Sequence, residues 1–169
     1  MKTNYLICAS AALLASGCSS LKSMPDAATN YSEIVHASYA DSLTTATAMD
    51  DAIASFLADP DPSGLSAAQT AWLDSREPYL QTEVYRFYEG PIDNAEDGPE
   101  GLINAWPMDE SYVDYTYDPD QRAYDFSVGI VNGSDTIDAA TLESLNEQGG
   151  EENIATGYHA IEFLLWGQD

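Results

Sequence analysis

From Tyr31 onward, apolar residues recur three and four apart: Ile34, Val35, Tyr39, Leu43, Ala46, Met49, Ile53, Phe56 and Leu57. That spacing puts them on one stripe of a helix and is incompatible with the alternation of a strand. Asp59-Pro60-Asp61-Pro62-Ser63-Gly64 ends the helix, since such a cluster cannot continue it. A second helix is expected after Ser66, with Trp72, Leu73, Leu80, Val84 and Phe87 as its apolar side. Pro78 should kink or restart it, and Gly90-Pro91 closes it. There is no convincing run of alternating strands, no internal repeat and no heptad pattern. The fold class is therefore all-α, with one feature out of keeping. Residues 90–138 form a long irregular insert rich in Pro, Gly, Asp and aromatics, among them Trp106, Tyr112, Tyr115, Tyr117, Tyr124 and Phe126. So many rings imply packing rather than a slack loop, and a long insert in a compact domain is usually functional. Leu102–Ala105, Glu110–Asp114 and Ala123–Phe126 are expected as short helical turns. Thr141–Asn146 is another, capped by Asp138 or Thr141. After Gly149-Gly150 a last helix begins, with Glu151 and Glu152 in its first turn, where carboxylates suit the helix dipole.

The chain has 169 residues, enough for one domain with its own core. Acidic residues outnumber basic ones 29 to 5, a net charge of −24. Nucleic acid is excluded as a partner, because phosphate contacts need a basic face. The acidity fits either a solvated surface in a salty medium or the attraction of cations. The first residues are a targeting segment. Lys2 precedes a short apolar run, Leu6 to Leu14, too short to span a bilayer. Ala15-Ser16-Gly17-Cys18 follows it and looks like a bacterial lipobox. Residues 1–17 are then a lipoprotein signal peptide, Cys18 is the lipidated residue, 18–30 is a tether and 31–169 is the domain. The lipid places the protein on a membrane of the cell envelope, and Ser19 after Cys18 favours the outer membrane, facing the periplasm. Cys8 lies in the removed segment, so the mature domain holds itself without a disulfide.

The last helix carries the candidate site. On the expected last helix, which includes GYHAIEFLLWGQD, Ile154, Tyr158, Ile161 and Leu165 form one stripe, while His159, Glu162, Phe163 and Trp166 form a second. His159 and Glu162 therefore point the same way, framed by aromatic bulk. A carboxylate there needs a counter-charge or a hydrogen-bond donor. A metal ion is one answer and an arginine is another. Zinc peptidases of the H-E-x-x-H type need a Glu beside the first His and a second His. Ala160 follows His159 here, and Phe163 follows Glu162, so both the direct and the inverted pattern fail. Di-iron bundles use Glu-x-x-His on one helical face. This chain has the reverse order, and further ligands must come from other helices. The second helix offers Glu83 on the same face as Trp72, Arg76, Tyr79 and Arg86. Arg76 and Arg86 flank Glu83, either as ordinary helix pairs or as a buried network with Tyr79 that tunes charge or holds an anionic ligand. His36 is expected to face a partner helix rather than to bind metal. Residues 93–98 do not make a calcium loop, because Ala95 and Asn104 stand where ligands are required. The chain has no phosphate-binding glycine loop and no persuasive nucleophile motif.

Three blocks taken together resemble the imelysin-like family: REPYLQTEVYRFYEGPID, GPEGLINAWPMDESYVDY and GGEENIATGYHAIEFLLWGQD. They are most like its branch of iron-regulated bacterial proteins. The family signature, G-x-H-x-x-E, is matched by Gly157, His159 and Glu162. The resemblance implies an all-helical fold of two bundle-like halves with the signature near their junction. Family chains are roughly twice this long, so it implies an N-terminal half here. It also implies export, often with a lipid anchor, and a link to iron acquisition. The function expected is an envelope lipoprotein that binds iron, or another divalent metal such as zinc, through His159, Glu162 and Glu83, working with other iron-uptake components. The alternatives are an envelope metallopeptidase and a non-catalytic interaction module in which Arg76 or Arg86 holds the His159–Glu162 pair.

Overall fold

The computed structural model describes residues 23–168. The segment expected as a signal peptide, 1–17, the expected lipidation residue Cys18 and the first part of the expected tether lie outside the described residues. Helix α1 spans Met24–Ala58 and so begins before Tyr31, the expected start. The cause is a reciprocal cap. The Asp26 carboxylate accepts from the Ser23 amide at 3.1 Å and hydroxyl at 2.7 Å, and the Ser23 hydroxyl accepts from the Asp26 amide. Ser-x-x-Asp with Pro25 in the first turn is a start signal in its own right. Contacts divide the chain after Ile34, and the body described below begins at Val35.

Helix α2 spans Pro62–Thr82 and starts four residues before Ser66. Asp61 is its cap, accepting from the Gly64 amide at 2.6 Å and the Ser63 hydroxyl at 2.8 Å, with Pro62 at the first helical position. The helix passes through Pro78 and tightens into a 3-10 segment, Glu83–Tyr88, which stops where Glu89 turns left-handed.

The insert is packed, as its aromatics imply, but not wholly helical. Helices α3 (Glu100–Asn104) and α4 (Glu110–Val113) fall where expected. Ala123–Phe126 is not a helical turn. Residues Ala123–Asp125 are strand β2, paired antiparallel with β1 (Thr116–Asp118) in a small hairpin, with Tyr117 opposite Tyr124. Their rings meet at 5.3 Å between centroids, the kind of cross-strand pair that stabilises such a ribbon. Helix α5 (Ala139–Leu145) is capped by Asp138, which accepts from the Thr141 amide. Helix α6 spans Gly157–Trp166. Glu151 and Glu152 therefore precede the last helix, in a turn, instead of forming its first turn.

The core gathers Met49 of α1, Ala68, Trp72 and Tyr79 of α2, and Tyr158 and Leu165 of α6. Ile103 of α3 and Ile161 pack against it. Its direction on α2 differs from expectation. Trp72 is buried, but Leu73, Leu80, Val84 and Phe87 are all exposed, Phe87 at 87%. The inward face of α2 is Ala68, Trp72, Ser75, Tyr79 and Thr82. Hydrogen bonds fix that choice. The Trp72 indole donates to the Tyr158 carbonyl at 2.9 Å, Tyr158 donates to the Ser75 carbonyl, and the Gln69 amide reaches the Leu165 carbonyl at 2.8 Å. Helix α6 thus docks by polar groups as well as by rings, which hydrophobicity alone does not reveal.

Candidate functional site

The start of α6 sets the direction of everything after it. Gly157 has a positive φ of 85°, and a β-carbon there would meet the Ile103 carbonyl oxygen, its carbon at 2.7 Å and the Leu102 oxygen at 2.8 Å. Only glycine lets α6 begin so close to the end of α3. The preceding turn is pinned as well. The Asn146 side-chain oxygen accepts from the Ala155 amide at 2.9 Å and the Thr156 amide at 3.3 Å, while its nitrogen donates to the Gly101 carbonyl. The Thr156 hydroxyl donates to the Leu102 carbonyl at 2.9 Å.

So positioned, α6 turns His159 and Glu162 into a cleft of about 1130 Å³. The His159 Nδ1 lies 3.2 Å from the Glu162 Oε2. The imidazole is largely buried, at 16% side-chain exposure, and the carboxylate is half exposed at 44%. The Trp106 ring leans over the imidazole at 4.7 Å between centroids. On the opposite side the hairpin brings Tyr117, Asp118 and Asp125, and α4 with its cap brings Asp109 and Glu110. The Gln168 side chain ties the hairpin to the end of α6, accepting from the Tyr117 amide at 2.7 Å. Hydrogen bonds within the turns hold two of these acids ionised. Asp118 lies below the usual carboxylate range because it accepts from the Gln121 and Asp120 amides, and Asp125 because it accepts from Ser127.

Glu83 does not join His159. Its carboxylate receives the Asn104 side-chain amide at 3.5 Å and lies 3.8 Å from Arg86. The pairing of Arg86 with Glu83 was readable, but Arg86 is held more closely by Glu100 at 2.8 Å and Asp93 at 3.3 Å. Arg76 makes no ion pair among the described residues. It donates to the Asn104 side-chain oxygen and lies over three rings, Trp72 and Tyr79 at 5.7 Å and Tyr158 at 4.8 Å, which is cation–π geometry. Asn104 therefore links the two arginine clusters. Burial, helped by the charge of Glu100, pushes the Tyr79 phenol well above its ordinary range, so Tyr79 serves as a neutral wall. Neither arginine pairs with Glu162 among the described residues. His36 lies exposed on α1, not against a partner helix among the described residues. Nothing in the sequence marks Trp106, Asn104, Asn146 or the hairpin acids as neighbours of the site. Only the hairpin left a signal, in the alternation of Thr116-Tyr117-Asp118 and Ala123-Tyr124-Asp125.

The pair can be tested against a metal ion. With donors about 2.1 Å from a divalent ion, neighbouring ligands sit about 3.0 Å apart at 90° and about 3.4 Å apart at a tetrahedral angle. Nδ1 and Oε2 share a hydrogen bond of 3.2 Å; that separation also falls between those limits, so with the bond given up the two atoms would fit adjacent positions on one ion. No group of three His, Cys, Asp or Glu side chains converges on a metal position among the described residues. The three-ligand set His159, Glu162 and Glu83 is therefore not assembled, and the fit is to an open, two-donor site.

The family model described as Imelysin, of the peptidase class, matches residues 35–169. The chain belongs to the imelysin family. A curated relative, "Iron-regulated protein A" of Synechococcus elongatus, is 28% identical over 134 residues, covering 79% of this chain. This imelysin-family chain spans 29% of that relative's length. The all-helical expectation holds, with one short hairpin added.

Proposed function

We propose that this chain is an exported imelysin-family lipoprotein that takes up a divalent cation, iron foremost and zinc as the close competitor, through His159 and Glu162. The observation that carries this reading is the 3.2 Å approach of Nδ1 and Oε2 at the head of a cleft lined with carboxylates. Neutral imidazole and carboxylate together form a mixed nitrogen–oxygen set that suits iron. Two protein donors leave the remaining positions to water, so exchange is fast and affinity moderate, as delivery requires. The name of the cyanobacterial relative, an iron-regulated protein, supports the choice of metal. Anchoring through Cys18 would hold the cleft at the outer membrane, on the periplasmic side, among the components of an iron-uptake system.

Calorimetric titration with Fe²⁺ under anaerobic conditions, and with Zn²⁺, tests the site. His159→Ala should abolish saturable binding and Glu162→Gln should weaken it about tenfold or more. Unchanged affinity in His159→Ala would remove the assignment. Labelling with radioactive palmitate tests the anchor separately: Cys18→Ser should lose the label.

The peptidase wording of the family description favours a second reading, metal-dependent proteolysis. It lacks a general base beside His159, since Ala160 occupies that place. Chelator-sensitive cleavage of an unfolded protein, lost in Glu162→Gln, would establish it.

A further inference from the structure

The cleft is far larger than one metal ion needs. Its volume of about 1130 Å³ lies just above the range for small-molecule pockets, roughly 300–1000 Å³. All three tryptophans of the chain, Trp72, Trp106 and Trp166, line it. Trp106 is 66% exposed and Trp166 45% exposed, so ring surface is available to a ligand. Five carboxylates, those of Asp109, Glu110, Asp118, Asp125 and Glu162, share the lining, and no Lys or Arg among the described residues does.

Three facts narrow the ligand. An anion is repelled by the lining and by a chain of net charge −24. The acids are spread out, since no three of them converge on a metal position among the described residues, so a compact ion cannot use them together. The rings are not a flat platform for a sugar. Trp72 and Trp166 meet at 70°. What fits separated carboxylates between tilted indoles is an extended ligand with several cationic groups, each over a ring and beside an acid. The molecule already uses this chemistry internally, where Arg76 lies over Trp72, a ring that also lines the cleft.

We propose that the cleft binds a basic peptide segment, with its guanidinium or ammonium groups seated between Trp106, Trp166 and the hairpin acids Asp118 and Asp125. Asp125 keeps Oδ1 on the Ser127 amide and hydroxyl. No protein donor reaches its Oδ2 among the described residues. The carboxylate is therefore oriented by its own turn and still open to a ligand. Binding of this kind requires no metal at His159, so it stands or falls separately from cation uptake.

The test uses the whole chain in EDTA, which removes any metal contribution. Tri-arginine, tri-serine and tri-glutamate peptides are titrated by calorimetry and by tryptophan fluorescence. Tri-arginine should saturate at one per chain with a change in emission, while tri-serine and tri-glutamate should not bind. Trp106→Ala and Asp125→Asn should each weaken tri-arginine by about threefold to tenfold. Asp51→Asn, which removes the same charge from the exposed face of α1, should leave it unchanged. If Asp51→Asn weakens binding as much as Asp125→Asn, or if tri-arginine gives no saturable signal, the proposal is overturned. Trp106 is exposed and Asp125 half-buried, and an unaltered thermal transition confirms that each variant is folded.

Discussion

Gly157 shows how a single backbone position governs the chemistry next to it. The signature G-x-H-x-x-E marks the glycine without saying what it does. In three dimensions its hydrogen is the only substituent that fits against the carbonyls of Leu102 and Ile103, and the angle at which α6 leaves that contact aims His159 and Glu162. Gly149 provides a control. It has nearly the same φ, 87°, but a β-carbon there would meet only the Asn153 side chain, at 3.5 Å. Gly149→Ala should therefore cost about 1 kcal/mol from the dihedral alone. Gly157→Ala should cost about 3 kcal/mol or more, because strain and overlap add. Denaturant unfolding of the two variants measures the difference, and equal losses would mean that the close approach to α3 is not real. The pairing of His159 with Glu162 was legible for a simple reason: both lie on one helix, where spacing fixes direction. The position of Glu83 was not, because its helix tightens into a 3-10 segment at that residue and tertiary contacts take over.

Elements that announce themselves by local chemistry were legible, and faces were not. Long α1, its end at Ala58 before the Asp-Pro cluster and the cap of α5 follow from periodicity and turn residues, although the cluster's second half, from Pro62, already belongs to α2. The inward side of α2 does not, because Leu73 and Leu80 outweigh Ser75 and Thr82 on any hydrophobic count, yet the polar pair is buried. Ser75 finds the Trp72 carbonyl at 2.8 Å and Thr82 the Tyr79 carbonyl at 2.7 Å, so burying them costs little. The α2–α6 contact can be probed at its central bond. Trp72→Phe removes the indole donor, while the Tyr158 carbonyl keeps its helical partner inside α6, so the loss is that of one net hydrogen bond, about 0.5–1.5 kcal/mol. The expected result is a loss of that size with α6 still helical, and a variant as stable as the parent would remove the bond from the account. At the other end of α2, the Gly64 amide lowers the Asp61 pKa first, and the Ser63 hydroxyl second. A carboxylate with a depressed folded-state pKa stabilises fully above its ordinary value of 3.8 and loses that contribution as pH falls through the folded value. The Gly64 amide proton, followed by NMR, should hold its position through pH 4 and shift only below the ordinary carboxylate midpoint. A midpoint at or above 3.8 would contradict the cap.

At the scale of the molecule, two surface properties oppose each other. Leu73, Leu80, Val84 and Phe87 make an exposed apolar stripe along α2 and its 3-10 extension, with Tyr88 at 70% exposure beside it. Stripes of this extent mark contact surfaces or aggregation hazards. Against that stands a net charge of −24, which keeps copies apart at low ionic strength through repulsion reaching about 10 Å at 0.1 M salt and about 3 Å at 1 M. The balance predicts a definite response. In dilute buffer the chain should run as a monomer that binds a hydrophobic dye. Raising the salt should drive association by screening the charge while leaving the stripe untouched, or strengthening it with sulfate. The double variant Val84→Ser, Phe87→Ser should lose most of the dye signal and stay monomeric at high salt. Its thermal midpoint should be unchanged within error, because neither side chain is in the core. Light scattering across a salt series distinguishes this from ordinary instability. If the double variant associates as readily as the parent, another surface is responsible. If it melts earlier, the stripe supports the fold after all.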